Sequence, residues 1–90
     1  METAHGSVRV LYFARLREAF GTSGETMDLA PGLCTVADLR ERLALRGGVW
    51  AEELAGSRVV RFAVNQTLCP PAHALSAGDE IAVFPPVTGG

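Results

Sequence analysis

One segment of the chain carries a helix period, while most of the remaining apolar residues fall in short runs of strand type. From Thr35 to Arg46, Val36, Leu39 and Leu43 recur at i, i+3 and i+7, and Arg40 and Glu41 turn outward. Thr35 is a favoured N-cap residue, and Asp38 three positions on supplies the carboxylate of a capping box. Gly47 and Gly48 read as the stop, because glycine tolerates the left-handed conformation that closes many helices. A helix with one apolar stripe has to lay it on another element, and here that element must be a sheet.

The strands for such a sheet are legible. Val8 to Ala14 (VRVLYFA) is rich in β-branched and aromatic residues; Val8, Val10 and Tyr12 share one face, and Arg9, Leu11 and Phe13 the other. The following RLREAFG predicts a turn of helix closed by Gly21, and Glu25 to Ala30 alternates as a second strand ended by Pro31-Gly32. A weaker helical piece covers Trp50 to Leu54. Arg58 to Cys69 reads as a hairpin turning at Asn65-Gln66, since asparagine tolerates the positive φ of a two-residue turn. After the turn signal Ser76 to Asp79 comes a last strand, Glu80 to Phe84.

The first and last strands carry the heaviest apolar load, which places them side by side at the centre. If Val8, Val10, Tyr12, Ile81 and Val83 face the helix, then Leu11, Phe13, Ala82 and Phe84 lie on the other face, with Leu68 joining from the hairpin. Ninety residues leave no second layer to cover that face. An apolar patch of this kind marks a partner surface, unless Arg15 to Phe20 folds back over it.

Composition narrows the function. With 48% hydrophobic residues, 20% charged residues and a formal net charge of −2, the chain is neither a disordered tail nor a basic nucleic-acid binder. Arg9 and Arg61 interrupt the two best apolar runs, so no membrane span is expected, and METAHGS lacks the pattern of an export signal. A soluble, cytoplasmic, single-domain protein is the expectation: residues 1–84 as the domain, with 1–7 frayed, and 85–90 as a tail. Cys34 and Cys69 lie far apart, and His5 and His73 complete no metal-ligand spacing, so both thiols read as free and no metal is expected. Glu52-Glu53 and Asp79-Glu80 are neighbours in sequence whose side chains diverge, which suits capping or solvated surface better than acid–base catalysis.

The chemistry lies at the end. After Phe84 the sequence reads Pro85, Pro86, Val87, Thr88, Gly89 and Gly90. The prolines cannot continue a sheet ladder and favour an extended exit. Gly89 and Gly90 present a carboxylate on a thread without side chains, narrow enough for a slot closed to bulkier residues. A carboxylate at neutral pH is a poor electrophile until ATP converts it to an acyl-adenylate, after which a sulfur nucleophile can take the acyl group. No phosphate-binding glycine loop and no paired nucleophile and base occur in the chain, so it would serve as carrier rather than as independent enzyme.

VRVLYFARLRE, AVNQTL and GDEIAVFPPVTGG together resemble the small, sulfur-carrying subunits of molybdopterin synthase, in the MoaD/ThiS group of ubiquitin-like β-grasp proteins. The resemblance implies an α+β fold: a mixed sheet of about five short strands, one main helix packed on one face, and an extended C-terminal tail. It implies that an E1-like partner adenylates Gly90 with ATP, that persulfide-derived sulfur makes the thiocarboxylate, and that no cofactor is stably bound. It further implies that Pro85 to Gly90 enters the large synthase subunit, in a heterotetramer, and passes sulfur to cyclic pyranopterin monophosphate to build the dithiolene. Phe13, Leu68 and Phe84 then dock partners together with Pro85, Pro86, Val87 and Thr88, while Gly89 matches the family's penultimate glycine. Two alternatives stay open: sulfur delivery for thiamine or tRNA thiolation, which FPPVTGG disfavours, and a β-grasp interaction module with an inert tail.

Overall fold

A computed structural model of the chain describes residues 6–55 and 58–86. Residues 1–5 and the predicted site residues Val87, Thr88, Gly89 and Gly90 lie outside the described residues. The elements run β1 (Ser7–Tyr12), α1 (Ala14–Phe20), β2 (Gly24–Asp28), α2 (Val36–Ala44), α3 (Gly48–Leu54), β3 (Arg61–Val64), β4 (Thr67–Leu68) and β5 (Glu80–Phe84). The sheet order is β2-β1-β5-β3-β4, with β1 parallel to β5 and the other neighbours antiparallel. The first and last strands are thus adjacent and interior, as their apolar load requires.

The alternation in β1 and β5 sorts the side chains as expected. Val8, Val10, Tyr12, Ile81 and Val83 are all at most 1% exposed, and they meet Val36, Leu39 and Leu43 of α2 in one core cluster. Burying each such leucine contributes about 1.5–3 kcal/mol relative to leaving it exposed. The capping box that opens α2 is complete: Thr35 Oγ1 accepts from the Asp38 amide at 3.2 Å, and Asp38 Oδ2 accepts from the Thr35 and Cys34 amides at 3.0 and 2.9 Å. Those amides hold the Asp38 carboxyl below its ordinary value, the Cys34 bond contributing most.

Two expectations are corrected. Gly47 does not close α2; that helix ends at Ala44, with Leu45 as a right-handed C-cap, and the chain tightens through bonds from Arg46 N to Leu43 O and from Gly47 N to Ala44 O. Gly47, at φ 79°, is instead the N-cap of α3, so the glycine pair reverses the chain between two helices. Nor is the whole of 1–7 frayed. Gly6 O accepts from Leu29 N at 3.0 Å and Ser7 O from Gly78 N at 2.8 Å, which anchors the start of β1 to both neighbouring segments.

α2 is the main helix, but it shares the covered face with α1 and α3. Phe20 of α1 stacks on Trp50 of α3 with ring centroids 3.9 Å apart and planes within 6°, and the Tyr12 ring meets both edge-on. The Arg46 guanidinium lies 4.4 Å over Trp50 and donates two 2.8 Å bonds to the Glu25 carboxylate, which also accepts the Tyr12 hydroxyl at 2.6 Å. This cluster binds β1, β2 and α1 to the stretch joining α2 and α3. It also answers the question of α1: Leu16 and Phe20 are spent on the covered face, and among the described residues no helix covers the other face of the sheet.

Candidate functional site

The open face is built by register. Gly24 of β2 sits opposite Leu11, Leu11 opposite Ala82, Ala82 opposite Ala63, and Ala63 opposite Leu68, which makes one apolar row across all five strands. Ala63 is buried yet stands apart from the core cluster, because its small side chain is sheltered by this row rather than by the helices. On one side the row is flanked by Thr26, Arg9 and Glu80, a polar line in which Arg9 and Glu80 are cross-strand partners. On the other side Phe84 faces Arg61.

Phe84 is the last residue of β5, so the apolar face extends to the point where the chain leaves the sheet. Arg61, Leu68, Phe84 and Pro86 line a shallow depression there, which puts the base of the tail in the docking face itself. Leu68 is 66% exposed and Phe13 44%, both far from what an isolated domain gains by burying such side chains. Phe13 is the N-cap of α1, and its amide donates to Val83 O at 3.1 Å, which fixes it at the end of β1 beside β5. Ala14 after it takes a positive φ of 54°, a conformation that costs a non-glycine residue on the order of 1 kcal/mol.

Of the predicted site residues, Phe13, Leu68, Phe84, Pro85 and Pro86 are described. Leu68, Phe84 and Pro86 line one depression, and Phe13 stands at the end of the adjoining strand. Sequence reasoning passed over Ala63 and Arg61, whose place follows only from the β3–β5 and β3–β4 registers. Two of the four carboxylates considered for catalysis are otherwise employed. Glu53 pairs with Arg15 at 3.2 Å and with Arg58 at 3.6 Å, and Asp79 accepts from the Ser76 amide and the Asn65 side chain. Cys34 is exposed and Cys69 half-buried, both as free thiols; burial pushes the Cys69 thiol up. Among the described residues no cluster of three His, Cys, Asp or Glu side chains could hold a metal ion, and no helix is long and apolar enough to cross a membrane.

A five-stranded mixed sheet of this order, with a helix laid across one face and, among the described residues, no helix on the other, defines an α+β protein of the ubiquitin-like β-grasp class. Residues 10–90 match the ThiS family, and the chain belongs to it. It is 43% identical over 83 residues to the molybdopterin synthase sulfur carrier subunit of Escherichia coli K12, an alignment spanning 92% of this chain and 99% of that protein. Among solved structures it is similar to a Pyrococcus furiosus candidate for molybdopterin converting factor, subunit 1, with a TM-score of 0.75 and 34% identity across 91% of this chain and 99% of that one. SAMP1 from Haloferax volcanii is similar at a TM-score of 0.70 and 32% identity, covering 94% of this chain and 100% of that chain.

Proposed function

We propose that this chain is a sulfur carrier of molybdenum cofactor biosynthesis, acting through the carboxylate of Gly90. An E1-like partner adenylates that carboxylate with ATP, releasing pyrophosphate. A persulfide sulfur then displaces AMP to give an acyl disulfide, and a thiol reductant cleaves its S–S bond, becoming oxidised to a disulfide and leaving the thiocarboxylate on Gly90. The charged tail enters the active site of a molybdopterin synthase large subunit and gives its sulfur to cyclic pyranopterin monophosphate. Two such transfers complete the dithiolene. The observation that carries this reading is the family match, which continues through residue 90 and so includes the terminal Gly89-Gly90 pair. The sulfur carrier subunit of the Escherichia coli synthase, alike along nearly its whole length, supports it further.

The geometry of the described residues supports a division of labour. Chemistry is left to the partners, and the domain supplies a rigid platform from which the tail departs. The apolar row from Leu11 to Leu68, with Phe13 and Phe84, gives a partner a flat surface to cover. Because Pro86 and Phe84 line the same depression, docking there also holds the base of the tail against the partner. Pro85 and Pro86 stiffen that departure, which lowers the entropy lost when the tail is threaded into a slot.

Intact-mass spectrometry tests the reading directly. Incubation with ATP, an E1-like activating enzyme and a sulfur source is expected to replace one oxygen by sulfur, with fragmentation localising the exchange to Gly90. A chain that keeps an unmodified carboxylate under conditions that charge a known carrier overturns it, and leaves the interaction-module alternative.

A further inference from the structure

A second concavity, of about 530 Å³, lies around the sheet edge from the open face, between α2 and the β3–β4 hairpin. Its volume is within the range of sites that accept ligand or side-chain groups. The floor is apolar: Val36 from α2, Val60 and Phe62 from β3 and its approach, and Leu68 from β4. Ala37 stands exposed on its helical wall.

The groove is held open by bonds on both sides. The first turn of α2 is tied to the following loop by Val36 N to His73 O at 3.0 Å and Ala37 N to Pro71 O at 2.9 Å. At the other end the Arg40 guanidinium donates to the carbonyls of Leu54, Ala55 and Arg58 at 2.8, 2.9 and 2.6 Å, so the helix cannot slide toward β3 without breaking a three-pronged contact. Such a groove is preorganised, and an occupant loses little to reshaping it.

Leu68 and Arg61 line both this groove and the depression beside Phe84 and Pro86. The two concavities are therefore one continuous surface folded over the β4 edge, and a protein that covers the open face reaches the groove by passing over Leu68. The charges are asymmetric. Arg61 is exposed on the open side, directly across from Phe84, and among the described residues its guanidinium has no ion pair. Arg40 is committed to its three carbonyls, and Glu41 lies on the helix side. A segment carrying a carboxylate is therefore drawn to the Arg61 lip and repelled from the Glu41 side.

We infer that the α2–β3 groove is a second docking site, taken by an apolar segment with an acidic side chain that belongs to the same large subunit whose docking covers the open face. This rests on the proposed function for the identity of the partner. The occupant's apolar side chain fills the space over Val60 and Phe62, and its carboxylate pairs with Arg61.

The experiment is a titration of the full chain with a purified molybdopterin synthase large subunit, using wild type, Ala37→Trp, Arg61→Glu and the open-face variant Phe13→Asp, at an exposed position that lines neither concavity. In Ala37→Trp the introduced indole fills the groove from an exposed position while the open face stays intact. Ala37→Gln is a second, helix-favouring filler, and an unchanged unfolding midpoint shows that each variant is folded. The Ala37 variants and Arg61→Glu are expected to raise Kd by about tenfold or more, and Arg61→Glu to flatten the salt dependence of the association rate. Folded Ala37 variants that bind within about twofold of wild type overturn the groove, and a loss of binding by Phe13→Asp beside them leaves the sulfur-carrier reading standing. Wild type that binds no large subunit overturns the proposed function and the occupant together.

Discussion

Asn65 Nδ2 donates to Asp79 Oδ1 at 3.0 Å, while the Asn65 side-chain oxygen accepts the Glu80 amide at 3.0 Å. The asparagine that turns the β3–β4 hairpin thus also grips the residue before β5 and the first residue of β5. Asp79 in turn closes its own loop by accepting the Ser76 amide at 2.8 Å. Two sequence motifs that are far apart in the chain, AVNQTL and GDEIAVF, are halves of one joint. Replacing Asn65 by alanine removes these bonds and leaves a β-carbon at φ 51°. The expected loss of stability is about 2 kcal/mol, read from denaturant midpoints. Asn65→Gly keeps the turn and loses only the bonds, so it should cost less; an alanine variant as stable as wild type would contradict the joint.

Gln66 takes φ 71°, a conformation that strains a residue with a β-carbon and leaves glycine unstrained. Gln66→Gly converts the turn to Asn-Gly, the pairing most favoured in two-residue hairpins. It is expected to raise stability by about 0.5–1 kcal/mol, although glycine also makes the unfolded chain more flexible. A lower unfolding midpoint would show that the turn strain is relieved in some other way.

Stability should fall at both ends of the pH scale because of the cluster at Glu25. The Arg46 hydrogen bonds, more than the Tyr12 hydroxyl, hold the Glu25 carboxyl below its ordinary value of 4.5. A carboxyl depressed in the folded state gives stability that is complete above the unfolded value and is lost as pH falls through the folded one. Tyr12 works in the other direction: burial first, and the bond to Glu25 second, push its hydroxyl far above the ordinary value of 10.0. Its contribution is complete below that ordinary value and is lost as pH rises past it. Denaturant titrations across pH should show both limbs, and Tyr12→Phe should flatten the alkaline one. An unchanged alkaline limb in that variant would assign it to other groups.

The sequence makes some of this structure visible and hides the rest for a physical reason. Val8, Val10 and Tyr12 alternate with period two, and Val36, Leu39 and Leu43 recur on one helical face, so local periodicity alone tells which side is buried. Leu11, Ala82, Phe84 and Leu68 follow as its complement. The Glu25–Arg46–Trp50–Phe20 cluster leaves no such trace, because each contact joins residues whose meeting depends on how three helices settle on the sheet. Gly47 is ambiguous for a related reason: glycine permits a left-handed turn but does not say whether a helix is ending before it or starting after it. Ala63 and Arg61 become part of the site only once the register of β3 is known.

Phe84→Asp places a charge beside the apolar row, against the surface a partner would cover. Even with Arg61 across the strands to pair with it, a carboxylate desolvated in an apolar interface is expected to cost about 2 kcal/mol, roughly a thirtyfold loss of affinity for the large subunit. Leu68→Asp should act alike, and because Leu68 is 66% exposed its replacement should leave the unfolding midpoint close to wild type. Isothermal titration of both variants checks the face assignment; wild-type affinity in the two would place the partner elsewhere.

Deleting Gly90, or adding one residue after it, separates the reagent from its platform. The core cluster runs from Val8 to Val83, so the unfolding midpoint should not move. Docking should also persist, since Leu68, Phe84 and Pro86 are unchanged. Sulfur transfer, however, requires the acyl carbon to reach a fixed point in the partner's site, and one residue too few or too many displaces it by about 3.3–3.6 Å along an extended chain. Displacements of even about 1 Å can cost on the order of a hundredfold in rate, so transfer should be abolished while binding is kept. Single-turnover assays with a pre-charged carrier, run beside the binding titration, distinguish this from a loss of docking. Transfer at the wild-type rate by either variant would mean that the sulfur is carried somewhere other than Gly90.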